Sequence, residues 1–397
     1  MTLALEGTRI LDLTWQGPGP YCTMLLGDLG ADVVRIQEPL VSGGSSRRVG
    51  EKPTARPTDE RGLAYDAHGR NKRSITLNLK NEAARKIFYD LVKTADVVLD
   101  GFRPGVSIRL GVDYATLKEI NPAIICCSIS GFGQTGPYNK LAGHDINYLS
   151  IAGALSMIGR KGGPPAIPQN YLADFGGGAM HAVMGILAAL LARQRTGVGQ
   201  YVDVSLTDCV MSLMTWDFAR YLMSGETPTR GETTLSGGAP YYDVYETKDG
   251  KYISIGSIEP WLFSELCKAL GREDLVQVQA NPEKQEEIFA FFRETFKTRT
   301  RDDWFAYLRQ FDNCIAPVLA IDEVVQDPQV QARQMITEID HPTLGKVKQV
   351  GISIKMSDTP GSIRCFTPAR GEHTDAILSN LGYAAGDIQA LREQGAI

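Results

Sequence analysis

The chain has 397 residues, of which 43% are apolar and 22% charged, with a formal net charge of −5. That length exceeds what one hydrophobic core usually serves, so two domains are expected. The weak acidic balance argues against a nucleic-acid surface, and the most apolar run, "AVMGILAALLA" (182–192), is too short to cross a bilayer and reads as a buried helix.

In chain order, "TRILDLT" reads as an apolar, β-branched strand, and "GPGPYCTMLLGDLGA" as a loop followed by a helix capped by Gly30. "DVVRIQ", "SITLNL", "DVVLDG" and "AIICCSIS" read as further strands, with helices "NEAARKIFYDLVKTA" and "DYATLKEINP" between them. Strands alternating with helices imply a parallel sheet covered on both faces. The stretch "EPLVSGGSSRRVGEKPTARPTDERG" between the second and third strands has little apolar content and reads as a long surface loop over about 40–70. A Gly-rich start at Phe175 leads into a helix to about Arg195, and "VDVSLTDCVMSLMTWDFARYLM" reads as a helical continuation. "GGAPYYDVYETKDGKYISIGSI" reads as a hairpin turning at Lys248–Gly250, and "PWLFSELCKALG" and "PEKQEEIFAFFRETFKTRTRDDWFAYLRQF" as helices. The expected fold class is α/β. A large doubly wound Rossmann-like domain over 1–224 is joined by a small α+β domain over 225–325, and 326–397 returns to the first.

The seven cysteines, at 22, 126, 127, 209, 267, 314 and 365, form no CxxC pair. They read as reduced thiols of a cytoplasmic protein, with neither a disulfide frame nor a metal site. The N-terminal stretch lacks the charged start and apolar core of a signal peptide, so no membrane partner is expected.

Several motifs admit two readings. "LAGHDINYLS" makes His144 either an acid–base group or a polar residue at a helix start. "GFGQTG" (131–136) matches a dinucleotide-binding pattern, but Pro137 follows where a helix should open, which favours a Gly-rich turn beside a ligand. Asp174 before three glycines is an N-cap in the plain reading. In the functional one, the N–H groups of Gly176–Gly178 approach a ligand and stabilise negative charge. Arg103 and Arg109 follow a strand's carboxyl end, and with Asn71–Arg73 and Lys80 they suit a phosphate-bearing ligand or a solvated surface. Glu259 is a lone surface carboxylate or a site residue. His181 reads as a satisfied core group, and Met211 and Met214 as core packing or the lining of an apolar pocket.

Taken together, "LDLTWQGPGPYCTMLLGDLGADVVRIQEP", "NKRSITLNLK", "GFRPG", "GFGQTGP", "ADFGGG", "RTGVGQYVDVSL" and "GEHTDAIL" resemble the family III CoA-transferases over nearly the whole chain. Within that superfamily the α-methylacyl-CoA racemase branch is most similar, on "AGHDINY", "ADFGGG" and the IEP of "SIEP". The resemblance implies an interlocked homodimer acting on acyl-CoA, with no cofactor beyond coenzyme A as part of the substrate. It implies His144 and Asp174 as the two catalytic bases, with Glu259 supporting the histidine. It also implies coenzyme A contacts at Leu77, Asn78, Leu79, Lys80, Gly101, Phe102, Arg103, Arg109, Gly143, Asp145, Ile146, Asn147 and Tyr148. In the transferase branch the aspartate is instead a nucleophile, and a functional glutamine stands where this chain has Gly17; Gln16 is one place off. Two features depart from the racemase pattern. The 40–70 loop has transferase length, and Glu38 stands where an arginine for the nucleotide end of coenzyme A is common, a loss that Arg47 and Arg48 could offset.

Overall fold

The structure, a computed structural model, describes residues 2–39 and 59–397. Arg47, Arg48 and most of the 40–70 loop therefore lie outside the described residues. The chain forms two compact units: residues up to Ala152 with Gln169–Leu213 and Pro328–Ile397, and Gly153–Pro168 with Met214–Asp327.

The larger unit is built on a six-stranded sheet in the order β3-β2-β1-β4-β5-β6, with every pairing parallel. Its strands are β1 (Arg9–Asp12), β2 (Asp32–Gln37), β3 (Lys72–Thr76), β4 (Val97–Asp100), β5 (Ile125–Ser130) and β6 (Tyr201–Ser205). Covered on both faces, the central strands carry continuous apolar runs: Ile10, Leu11, Val97, Val98, Leu99 and Ile125 are all essentially unexposed. The helix Glu82–Val92 buries Ala84, Ile87, Phe88, Leu91 and Val92 against this sheet, and Asn81 caps it by accepting from the N–H of Ala83.

Two expectations need correction. The segment "YVDVS" is strand β6, not helix, because β-branched Val202 and Val204 alternate with polar residues and pair in parallel with β5. Helix resumes at Leu206–Leu213, breaks at Met214, and runs again over Thr215–Ser224. The third strand is Lys72–Thr76 and stops before Leu77, since Asn78 leaves the ladder to give its N–H to the carbonyl of Ala396.

The motif "GEHTDAIL" covers the free edge of β3. His373 gives its N–H to the carbonyl of Ser74, its Nδ1 accepts from the N–H of Ser74, and Thr374 Oγ1 accepts from the N–H of Thr76.

The helical run 171–196 is a π-helix, Tyr171–Ala179, continuing into an α-helix, Met180–Thr196. It buries Ala182, Ile186, Ala189 and Leu190, yet Met180, Met184 and Leu191 are exposed, so the expected buried helix is buried on one side only. By length and composition, its 26 residues could cross a membrane.

The smaller unit has an antiparallel sheet of β7 (Tyr242–Glu246), β8 (Tyr252–Gly256) and β9 (Ile315–Pro317). Its core is aromatic: Tyr245, Phe263, Phe292, Phe296 and Trp304 pack with Leu266, Ile288 and Leu308. In the larger unit, a final hairpin pairs β10 (Ile336–His341) with β11 (Gly345–Val350).

Candidate active site

All carboxyl ends of a parallel sheet lie on one side. Here the chain leaves β1 towards β2 and leaves β4 towards β5, so a crevice opens between β1 and β4. Both strands end in an aspartate that ties down the following turn. Asp12 Oδ1 accepts from the N–H of Thr14 at 2.9 Å, and its Oδ2 accepts from the hydroxyl of Thr23 at 2.6 Å and from Lys72 Nζ at 3.3 Å. Asp100 Oδ1 accepts from the N–H of Phe102 at 2.9 Å, and its Oδ2 from the hydroxyl of Ser128 at 2.6 Å. Burial raises the pKa of Asp100, against the pull of these two bonds.

The turn after β1 ends at Gly17, with φ 65° and ψ −130°, a backbone conformation that favours glycine. A Cβ at this position would stand 3.5 Å from Asp174 Oδ2. The glycine therefore leaves open space directly against that carboxylate.

Beyond β5, the "GFGQTG" turn opens no helix; the next helix is Asp145–Ala152. His144 starts it: its carbonyl accepts from the N–H groups of Asn147 and Tyr148, and its own N–H donates to Asn147 Oδ1 at 3.1 Å. Both readings of His144 meet here, since its backbone begins the helix while the residue remains exposed. Tyr148 holds this loop in place. Its hydroxyl donates to the carbonyl of Gly143, and its ring fills the space that a Cβ on Gly131 or Gly143 would need, 2.2 and 2.7 Å away. Burial, then the negative charge of Asp174, pushes the Tyr148 hydroxyl up to about 12, with Arg103 opposing. Tyr148 and Asp145 are both buried and both engaged inside the protein.

Asp174 is not an N-cap. It sits inside the π-helix, and Asp145 performs the capping: Asp145 Oδ2 accepts from the N–H groups of Ala173 at 2.8 Å and Asp174 at 2.9 Å. The i→i−5 pattern of the π-helix uses the N–H groups of Gly176–Gly178, so these do not serve as oxyanion donors. The glycines answer to packing instead. A Cβ on Gly177 would stand 2.9 Å from the Leu172 carbonyl, and one on Gly178 would stand 2.0 Å from Leu206 Cδ2. Burial raises the pKa of Asp174; the hydrogen bond from Asn170 Nδ2 (3.4 Å) and the charge of His144 lower it, and the charge of Asp145 raises it.

The structure thus brings Gly17, Arg103, His144, Asp145, Tyr148 and Asp174 into one neighbourhood. In the smaller unit, Glu259 is half-buried and precedes the helix Pro260–Ala269; its side chain makes no cap bond. Gln279 Nε2 donates to the Ile258 carbonyl at 2.8 Å and steadies the turn that carries Glu259.

Other expected ligand contacts fare differently. Leu77 is buried in the core and Leu79 packs against it, so neither side chain is offered to a ligand. Asn78 bonds to the carbonyls of Gly395 and Ala396. Exposed Lys80 pairs with Glu38 at 3.0 Å, and Arg370 also reaches Glu38 by donating to its carbonyl. Gly101, Arg103, Arg109, Ile146 and Asn147 are exposed, Gly143 is half-buried, and Phe102 packs against the core. The expectation that Asn71–Arg73 greet a phosphate is corrected: Asn71 and Lys72 are buried and paired within the fold, and Arg73 forks onto Asp32. His181 is satisfied by the carbonyl of Gly177 at 2.7 Å. Asn170 and the ring cluster Tyr21–His68–Phe175, with centroids 4.9–5.6 Å apart, escaped sequence reasoning because no local pattern links them to Asp174.

A family model described as CoA-transferase family III matches residues 5–374. An α-methylacyl-CoA racemase of Homo sapiens is 35% identical, over 98% of this chain and 96% of its own length. A formyl-CoA:oxalate CoA-transferase of Escherichia coli is 32% identical, over 100% of both chains. A solved CAIB/BAIF family protein from Brucella suis superposes with a TM-score of 0.80 at 30% identity, over 96% of this chain and 100% of its own.

Proposed function

The chain is a member of CoA-transferase family III, and from that premise we propose that it racemises 2-methylacyl-CoA thioesters by two-base 1,1-proton transfer through an enolate. The observation that carries this reading is geometric: Asp145, next to exposed His144, accepts the backbone N–H of half-buried Asp174, which brings an imidazole and a carboxyl group to one place. The thioester acidifies the α-hydrogen. One of the two groups removes it to give an enolate, and the other returns a proton to the opposite face; the reverse reaction exchanges their roles. Burial raises the pKa of Asp174, the direction that suits a proton donor. Glu259 takes the supporting carboxylate role that the racemase resemblance implies. Coenzyme A is part of the substrate, held at the carboxyl ends of the strands, where Arg103, Arg109, Lys80 and Arg370 supply exposed positive charge.

A second reading, CoA transfer through an aspartyl-CoA thioester on Asp174, is favoured by the likeness to the Escherichia coli transferase. Glycine at position 17 speaks for racemisation, because it leaves the Asp174 carboxylate facing open space.

The deciding experiment incubates the protein with a panel of chiral 2-methylacyl-CoA thioesters in D₂O, and in parallel with acyl-CoA, a free carboxylic acid and hydroxylamine. Racemisation predicts deuterium at the α-carbon, lost in His144→Ala. CoA transfer to the free acid, with a hydroxylamine-trapped adduct at Asp174 and no α-exchange, would replace this reading with the second.

We also propose a homodimer in a reducing, cytoplasmic setting. The free cysteines support the compartment, and the uncovered apolar helix Thr215–Ser224 supports the assembly.

A further inference from the structure

His144 and Asp145 are neighbours in sequence, yet they act on the π-helix in different ways. Asp145 is 5% exposed, and its Oδ2 receives two backbone N–H groups, one of them from Asp174 itself. Its Oδ1 is buried and has no partner. Structures retain such a poorly satisfied group where geometry matters more than stability.

We infer that Asp145 is a positioning residue for Asp174: its Oδ2 clamps the first turn of the π-helix, and so fixes the carboxyl group at 174 relative to the residue at 144. The clamp and the histidine share one peptide bond, so movement of the loop carries both together. The π-helix supplies no side-chain cap of its own, since Asn170 at its start makes none. Tyr148, one turn further along the same helix, anchors the other side through the Gly143 carbonyl.

This inference rests on the proposal that Asp174 is a reacting group. Its test compares Asp145→Ala with Asp145→Asn, which retains an oxygen in the same place. Two quantities are read: turnover in the α-proton exchange assay, and amide hydrogen exchange in peptides spanning Leu172–Phe175. Asp145→Ala is expected to lower kcat by about 100-fold while KM changes little, as a misplaced reacting group does. Its amides at 173 and 174 should exchange about tenfold faster, matching the loss of a cap. Asp145→Asn should keep the amides protected and recover most of kcat. Unchanged amide exchange in Asp145→Ala, or an Asp145→Asn variant as slow as Asp145→Ala, overturns the inference. If the unmodified protein neither exchanges the α-proton nor forms an adduct at Asp174, the reaction proposal fails, while the amide measurement still decides whether Asp145 is the clamp.

Discussion

Burial raises the pKa of Asp174, and it acts on stability in the opposite sense from an ordinary ion pair. The native carboxyl group holds its proton to higher pH than the unfolded chain does, so folding loses stability as pH rises above about 4 and the group is forced to ionise. Asp174→Asn should therefore abolish turnover yet melt at a higher temperature than the unmodified protein at neutral pH. The difference should vanish below about pH 4, where both carry an uncharged side chain. Thermal unfolding across that pH range checks it. Gly17 makes the complementary case. Gly17→Gln puts a side chain into the space 3.5 Å from Asp174 Oδ2 and onto a left-handed backbone. It should cost about 1–3 kcal/mol in denaturant unfolding and suppress α-proton exchange.

At the scale of elements, the ion pair Arg70–Asp28 joins segments that have no local reason to meet. Arg70 donates through Nε and Nη2 to Asp28, and through Nη1 to the Val350 carbonyl of the β10–β11 hairpin at 2.6 Å. Asn71, with φ 58°, adds Nδ2 to Asp28 and receives the N–H of Arg364 on its Oδ1. Arg70→Met would leave Asp28 charged and buried with one partner fewer. It should destabilise the protein by about 3–5 kcal/mol in denaturant unfolding. The pattern-bearing elements of the main sheet were legible, because alternation of strand and helix periods is local. The π-helix was not. Its glycine run reads as a helix start in any sequence, and only the packing of Gly178 against Leu206 and the clamp from Asp145 reveal a widened helix.

At the scale of the molecule, the helix Thr215–Ser224 buries none of its residues, although it carries Trp216, Leu222 and Met223, which are 74–84% exposed. Apolar surface of this extent on one helix suits the interface of the proposed homodimer. Replacing Leu222 and Met223 together with glutamate should convert the proposed homodimer into monomer, read by light scattering after size exclusion. A mass that stays dimeric, or one that is monomeric before the change, would remove that helix from the interface.

The sequence by itself determined the alternating α/β plan, the small-unit hairpin, and the three residues most worth testing, because periodicity, turn chemistry and quoted motifs all act within a few neighbours. Only the tertiary structure decided what those residues touch. Asp145 accepts two backbone N–H groups of the π-helix, Lys72 is a buried partner of Asp12, and the glycines at 177 and 178 form a packing surface. Each outcome depends on where a side chain from a distant segment comes to rest, and hydrophobic patterning specifies that a face is buried without specifying which polar group it will meet.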